Sequence, residues 1–303
     1  MSIEIRSERP GDQVAIDAVN SRAFGQMGEP NLVRLMRAHY PCFDPRYSIT
    51  AWDGEQMVGH TLMAPGSIRF MGQTVPALMV GPVAVVPERQ RRGIGAAMMQ
   101  VGHEQGRRDG FALAVLYGHP TYYPRLGYRA CFGVGKVTLD LEALPQPSQV
   151  MRPWPVHPAD IPWLMQCFTM EWADVDFAWL RGSAISEWDI PGVDAALWRT
   201  QDGRPAAYVA RGYSGRMVIG RDPELVREVL YAVRPETLDQ HPAGWLARSV
   251  LCPGWGRAEV EAADAAMACE LRQGVLEPCL RAVESGERLP GYCPWPLALN
   301  VVA

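Results

Sequence analysis

One segment constrains this chain more than any other. An almost wholly apolar run, Ala77–Val86, passes through Pro87-Glu88-Arg89-Gln90-Arg91-Arg92-Gly93-Ile94-Gly95 into a helical pattern that extends to about Arg108. Such a run reads as a central strand buried on both faces, and Pro87 ends it. Two glycines then stand at the start of a helix, where backbone N–H groups can approach a ligand closely and the helix end favours anions. Arg89, Arg91 and Arg92 add positive charge to the same turn. This is the local chemistry of a pyrophosphate site. It is not a dinucleotide fingerprint, because position 98 is Met and no acidic residue closes a following strand at the expected distance. Nor is it a Walker A loop, which needs Gly-Lys followed by Ser or Thr. The plain alternative is a glycine-softened turn with solvated arginines.

The flanking pattern predicts a sheet with helices mixed into its order. Ile3–Arg6 reads as a strand, and Asp12–Phe24 and Asn31–His39 as amphipathic helices. Ser48–Trp52 and Gln56–Met63 form one predicted hairpin, and Ser67–Met71 with Val75–Val86 a second across Gly72-Gln73. A strand at Ala112–Tyr117, a short helix over 121–126 and a strand at Tyr128–Val134 follow the long helix. The expected class is α/β (α+β).

A second motif lies about 30 residues beyond the turn: His119-Pro-Thr-Tyr122-Tyr123-Pro-Arg-Leu-Gly127-Tyr128-Arg. The pairing of Gln90-x-x-Gly93-x-Gly95 with a later Tyr-x-x-x-Gly-aromatic resembles the GNAT (GCN5-related) N-acetyltransferase superfamily. Gly81-Pro-Val-Ala-Val and the Gly118-His-Pro…Tyr-Tyr-Pro-Arg-x-Gly-aromatic run resemble its bacterial small-molecule subgroup. The likeness covers roughly residues 3–140. It implies the GNAT fold, a mixed and mostly antiparallel sheet flanked by helices, with acetyl-coenzyme A as co-substrate and no metal. It further implies that Val83 and Val85 pair with the pantetheine arm through their backbones. Gln90, Arg91, Arg92, Gly93, Ile94, Gly95 and Ala96 would hold the pyrophosphate, and Tyr123 would be the general acid for the departing thiolate. Tyr122 is the neighbouring alternative. No general base is identifiable: Glu29, His60 and His119 are candidates, each with a plain reading as a solvated carboxylate or a core or capping histidine. Glu88 reads as a surface residue. A coenzyme-A-binding sensor without catalysis is the alternative function.

Prolines at 145, 147, 153, 155, 158 and 162 are too many for a helix or central strand. They divide the chain into an expected GNAT unit at 1–145, a linker at 146–162 and a second, smaller α/β unit at 163–303. Trp52 alone precedes this stretch, and the other nine of the ten tryptophans follow its start. Asp194–Thr200 with Pro205–Arg211, Arg216–Ile219 and a helix over Asp222–Val233 resemble a degenerate second GNAT-like domain. It lacks the Gln-x-x-Gly-x-Gly element and is expected to shape the acceptor site. Glu171-Trp172-Ala-Asp174-Val-Asp176 could hold a cationic amine, although aromatics more often fill a core. The apolar tail Trp295–Ala303 reads as a closing strand whose terminal carboxylate could approach the acceptor.

Composition limits the partners. With 48% hydrophobic and 20% charged residues the chain of 303 residues reads as globular. A formal charge of −4 argues against general nucleic-acid binding and faintly favours a cationic small-molecule amine such as a polyamine or amino sugar. No stretch is long and apolar enough to span a membrane, and the start has no apolar signal core, so a cytoplasmic location is expected. Seven scattered cysteines, none spaced as CxxC, read as reduced thiols rather than a zinc or disulfide framework. A homodimer interface is conceivable in the tryptophan-rich half.

Overall fold

The structure, a computed structural model, describes residues 3–144, 146–189, 194–211, 215–244, 250–251 and 254–293. In chain order the first elements are β1 (Glu4–Ser7), α1 (Gln13–Phe24), α2 (Gly28–His39), β2 (Ser48–Asp53), β3 (Gln56–Phe70), β4 (Gln73–Val85), α3 (Ile94–Arg108), β5 (Leu113–Tyr117) and β6 (Tyr128–Ala130). Then come β7 (Phe132–Leu139), β8 (Arg152–Trp154), α4 (Ile161–Glu171), β9 (Ala195–Arg199), β10 (Pro205–Arg211) and β11 (Arg216–Ile219). The described chain finishes with α5 (Pro223–Val233), β12 (Thr237–Leu238), β13 (Gly256–Ala262), β14 (Ala266–Glu270), α6 (Glu277–Glu284) and β15 (Gly291–Tyr292). The strand expected over Trp295–Ala303 lies outside the described residues.

Two sheets organise these elements. The first runs β1-β2-β3-β4-β5-β14-β6 and the second β13-β7-β12-β11-β10-β9-β8, with β15 beside β7. Pairing is antiparallel except at β4/β5, β11/β12 and β7/β15. Sheet pairing therefore crosses the boundary expected near residue 145. Strand β14 lies between β5 and β6, with Ala268 opposite both Val115 and Arg129. Strand β7 leaves the first sheet to pair with β13, from Gly256↔Leu139 to Ala262↔Gly133. The strand expected over Tyr128–Val134 is accordingly two strands that part at Cys131, whose N–H donates to Ala266 O at 3.1 Å.

The two faces of the first sheet are covered differently. Ile16 and Val19 of α1 and Val33 and Met36 of α2 bury against the face that carries Leu62 and Ala84. On the α3 side, Met99 packs with Met63, Leu78, Leu116, Tyr128 and Met267. Each fully buried side chain of this size contributes roughly 1.5–3 kcal/mol. Residues from the second half extend the first core: Phe177 stacks on Phe132 with centroids 5.0 Å apart and meets Phe70 edge-on at 5.1 Å.

Strand β3 is longer than the sequence pattern predicts, running unbroken through Pro65. Pro65 O accepts from the Tyr40 hydroxyl at 2.8 Å, so its backbone faces away from β4, on an edge that β2 covers only as far as Leu62. A residue without an N–H fits there, because no ladder donor is needed. Farther along that edge, Arg69 N–H donates to Ala178 O and Phe177 N–H to Arg69 O, each at 2.8 Å.

The Glu171–Asp176 segment is structural. Trp172 is buried against Phe168 and Tyr292, with centroids 6.0 and 5.5 Å away. Asp176 accepts from Met71 N–H and from Arg288 Nε, both at 2.6 Å.

Candidate functional site

The site begins where two parallel strands stop pairing. β4 and β5 are in register at Ala77↔Leu113, Leu78↔Ala114 and Met79↔Val115. Beyond this both continue, to Val85 and Tyr117, without further paired positions. On its other edge β4 bulges: Val80 opposes Met63 and Val83 opposes Thr61, so Gly81 and Pro82 together face Leu62. Pro82 has no N–H to give to a ladder, and bulges are where sheets accommodate such a residue. Past the bulge, Val86 N–H donates to Val58 O at 3.0 Å. Backbone direction alternates along a strand, so the groups of Val85 and Val83 point to the opposite, open edge.

A cleft of about 760 Å³ occupies this opening. Val80, Gly81, Pro82, Val83 and Val85 supply one wall, and Tyr117, Gly118, His119, Pro120 and Tyr123 another. Ala23 and Phe24 of α1 and Glu29 and Leu32 of α2 also line it, as do Gln90 and Ala265. Ala265, just before β14, comes from the second half of the chain, and its carbonyl accepts from Gly118 N–H at 2.8 Å.

The turn after β4 has an exposed polar backbone. Arg91 and Gly93 both adopt left-handed φ, +60° and +80°. A non-glycine residue there costs roughly 1–2 kcal/mol, which the turn accepts at Arg91. Gly93 is the N-cap of α3 and no side chain caps the helix, leaving first-turn N–H groups for another acceptor. The corresponding helix of the second sheet differs: Asp222 caps α5 by accepting from Glu224 N–H at 3.0 Å. An anion there would meet a carboxylate.

The charges of the turn divide. Arg89 is committed to Asp53 at 2.5 Å, and exposed Glu88 to Arg22. Arg91 and Arg92 are exposed, and no carboxylate of the described residues pairs with either. Gln90 is exposed at the rim of the cleft, where its Nε2 donates to Val85 O at 3.0 Å, fixing the end of β4 to the turn. Ile94 is buried, whereas Gly95 and Ala96 are partly accessible.

The neighbouring tyrosines separate. A Cβ on Gly95 would stand 2.8 Å from Tyr122 Oη, so Tyr122 faces the phosphate turn. Tyr123 lines the cleft, and its ring lies where a side chain on Gly118 would be. Burial, with a smaller contribution from Tyr122, pushes the Tyr123 phenol up to about 12. Burial alone raises Tyr122.

Among the base candidates, Glu29 and His119 reach the cleft and His60 does not. His60 is fully buried, 2.9 Å from Asn20 Nδ2 and 3.0 Å from Ser48 Oγ. Burial, then the Arg37 charge, lowers it to about 3, so it is a neutral core residue. Sequence reasoning missed Phe24, Leu32, Pro82 and Ala265 as cleft residues. Gly118 before His119 was a usable signal, because only glycine admits the Tyr123 ring there. Among the described residues no His, Cys, Asp and Glu group could hold a metal, and no helix is long and apolar enough to cross a membrane.

Comparisons with known proteins agree with this geometry. Residues 4–131 match the family model for the acetyltransferase (GNAT) domain. The chain is 35% identical over 124 residues to the uncharacterized N-acetyltransferase YjhQ of Escherichia coli K12, covering 40% of this chain and 67% of that protein. Among solved structures, the GCN5-related N-acetyltransferase of Kribbella flavida superposes with a TM-score of 0.65 at 18% identity, over 88% of this chain and 70% of that one. That of Anabaena variabilis does so with 0.67 at 14%, over 89% and 73%. At these identities the structural likeness speaks for the fold, and it extends through the second half.

Proposed function

Because this chain belongs to the GNAT N-acetyltransferase superfamily, we propose that it transfers an acetyl group from acetyl-coenzyme A to the primary amine of a small molecule. The observation that carries the reading is the end of β4/β5 pairing at Met79↔Val115, which leaves Val83 and Val85 facing a cleft that reaches Gln90 and Tyr123. The pantetheine arm pairs with the open edge at Val83 and Val85. The pyrophosphate rests on the backbone of Arg91, Arg92, Gly93, Ile94, Gly95 and Ala96. Gln90 acts from the cleft side, holding Val85 O in place and leaving the Val85 N–H for the arm. The second half contributes Ala265 to the cleft and shapes the acceptor site without binding the co-substrate, since Asp222 occupies the start of α5.

The chemistry is a direct displacement. The acceptor loses a proton to solvent, its nitrogen attacks the thioester carbonyl, the C–N bond forms and the C–S bond breaks. Preorganised N–H groups at the cleft steady the developing negative oxygen. Tyr123 donates to the departing sulfur. A phenol near 12 is a donor throughout the neutral range, and full proton transfer to a thiolate whose acid is near 8.5 is uphill by several units. Hydrogen bonding to the thiolate is therefore its main contribution; the nitrogen sheds its second proton to solvent after attack, and solvent returns one to the sulfur as coenzyme A leaves.

Incubating the chain with acetyl-coenzyme A and an amine-rich metabolite extract tests the reading. Thiol release, with products heavier by one acetyl group in mass spectra, is expected. Stoichiometric binding without turnover would instead indicate a coenzyme-A sensor.

A further inference from the structure

The cleft carries a distinctive distribution of charge. Among the described residues that line it, Glu29 is the one carboxylate, and neither lysine nor arginine is among them. Gln26 Nε2 lies 3.3 Å from both Glu29 oxygens, at the long end for a hydrogen bond. No arginine of the described residues pairs with Glu29. The carboxylate thus keeps capacity for a ligand cation. Apolar Phe24, Leu32, Val80 and Pro82 share the lining with Glu29, alongside polar Gln90, Tyr117, His119 and Tyr123. Phe24 and Met27, on the α1–α2 connection leading to Glu29, are large apolar side chains left 41% and 45% exposed.

We infer that the acceptor is a monoamine on an apolar body, an aryl- or alkylamine without a carboxylate, and that Glu29 selects it by pairing with its ammonium group; this rests on the acyl-transfer reading above. An amino acid would bring its carboxylate toward Glu29 with no lysine or arginine of the described lining to receive it. A polyamine would bring a second ammonium with no second carboxylate. An amino sugar would desolvate several hydroxyls against Phe24, Leu32 and Val80, leaving them unpaired. An aryl or alkyl chain instead covers the exposed ring of Phe24, and burial of apolar surface favours it. The nitrogen is positively charged as the bound ammonium and again once it has attacked the carbonyl, so the Glu29 contact serves ground and transition states alike and its loss raises KM more than it lowers kcat.

The test is steady-state thiol release by the full chain from acetyl-coenzyme A with 2-phenylethylamine, phenylalanine, glucosamine and spermidine. The expected result is a kcat/KM for 2-phenylethylamine at least about tenfold above the other three. Glu29→Gln should raise its KM about tenfold while kcat stays within about threefold, and should narrow the preference over phenylalanine. As a second variant, Phe24→Ser should reduce the preference for 2-phenylethylamine over methylamine. Equal or better acetylation of phenylalanine, glucosamine or spermidine overturns the inference alone, as does an unchanged KM in Glu29→Gln. Acetyl-coenzyme A binding with no thiol release from any amine overturns the acyl-transfer reading, and the inference with it.

Discussion

Tyr122 Oη stands 2.8 Å from the position of a Cβ on Gly95, so two adjacent tyrosines serve two different parts of the site. Tyr122 closes on the helix start that would hold phosphate, while Tyr123 forms the cleft wall. Gly95→Ala should therefore weaken acetyl-coenzyme A binding about tenfold, about 1.4 kcal/mol, by pushing Tyr122 across the turn. Tyr122→Phe in the same chain should recover most of it. Calorimetric titration of the three proteins checks this; equal affinity in Gly95→Ala would remove Tyr122 from the turn.

Gly118→Ala should act on the other tyrosine. Its methyl would fall on the Tyr123 ring, tilting the hydroxyl away from the departing sulfur. Turnover should drop at least about tenfold with co-substrate affinity nearly unchanged, since misplacing a catalytic group costs rate before binding. A loss of affinity with normal turnover would mean the ring serves the co-substrate instead.

Much of this was legible in the sequence. The strand-turn-helix at Ala77–Arg108 followed from local pattern, because glycine position, proline and apolar periodicity act over short range; the weight on Tyr122 and Tyr123 came from the resemblance to the GNAT superfamily. Three features were not legible. The insertion of β14 between β5 and β6 depends on pairing across more than a hundred residues, which alternation within Ala266–Glu270 cannot encode. The break at Cys131 follows from that insertion, since β7 can leave only once β14 has taken its place. The hydrogen bond from Gln90 to Val85 O closes an irregular turn whose course the glycine and proline positions do not specify.

The strand exchange predicts that residues 1–145 will not stand alone. Without β14, the edges of β5 and β6 are left as unpaired donors and acceptors that invite aggregation. The fragment should be insoluble or lack near-ultraviolet circular dichroism. A soluble monomer with a cooperative unfolding transition would contradict the account.

Buried histidines make stability acid-sensitive, His60 and His103 most, with His241 also lowered by its burial. Burial lowers His60 to about 3 and His103 to about 4, the latter 2.8 Å from Tyr128 Oη. Below their ordinary value near 6.5 the unfolded chain binds protons that the folded chain does not. Stability is therefore whole above about 6.5 and falls as the pH drops toward 4, by about 2 kcal/mol per histidine at pH 5. Urea midpoints at pH 7.5 and 5.0 should differ accordingly, and less so in His60→Asn. Equal midpoints would mean these histidines are protonated in the fold.

The most direct test of the central claim is Tyr123→Phe, with acetyl-coenzyme A affinity and steady-state thiol release measured on the same preparation. The account predicts an unchanged dissociation constant and a turnover lowered by about a hundredfold, the usual scale for losing one hydrogen-bond donor to developing negative charge. Wild-type turnover in Tyr123→Phe would contradict it, and would move the donor to the departing sulfur away from Tyr123.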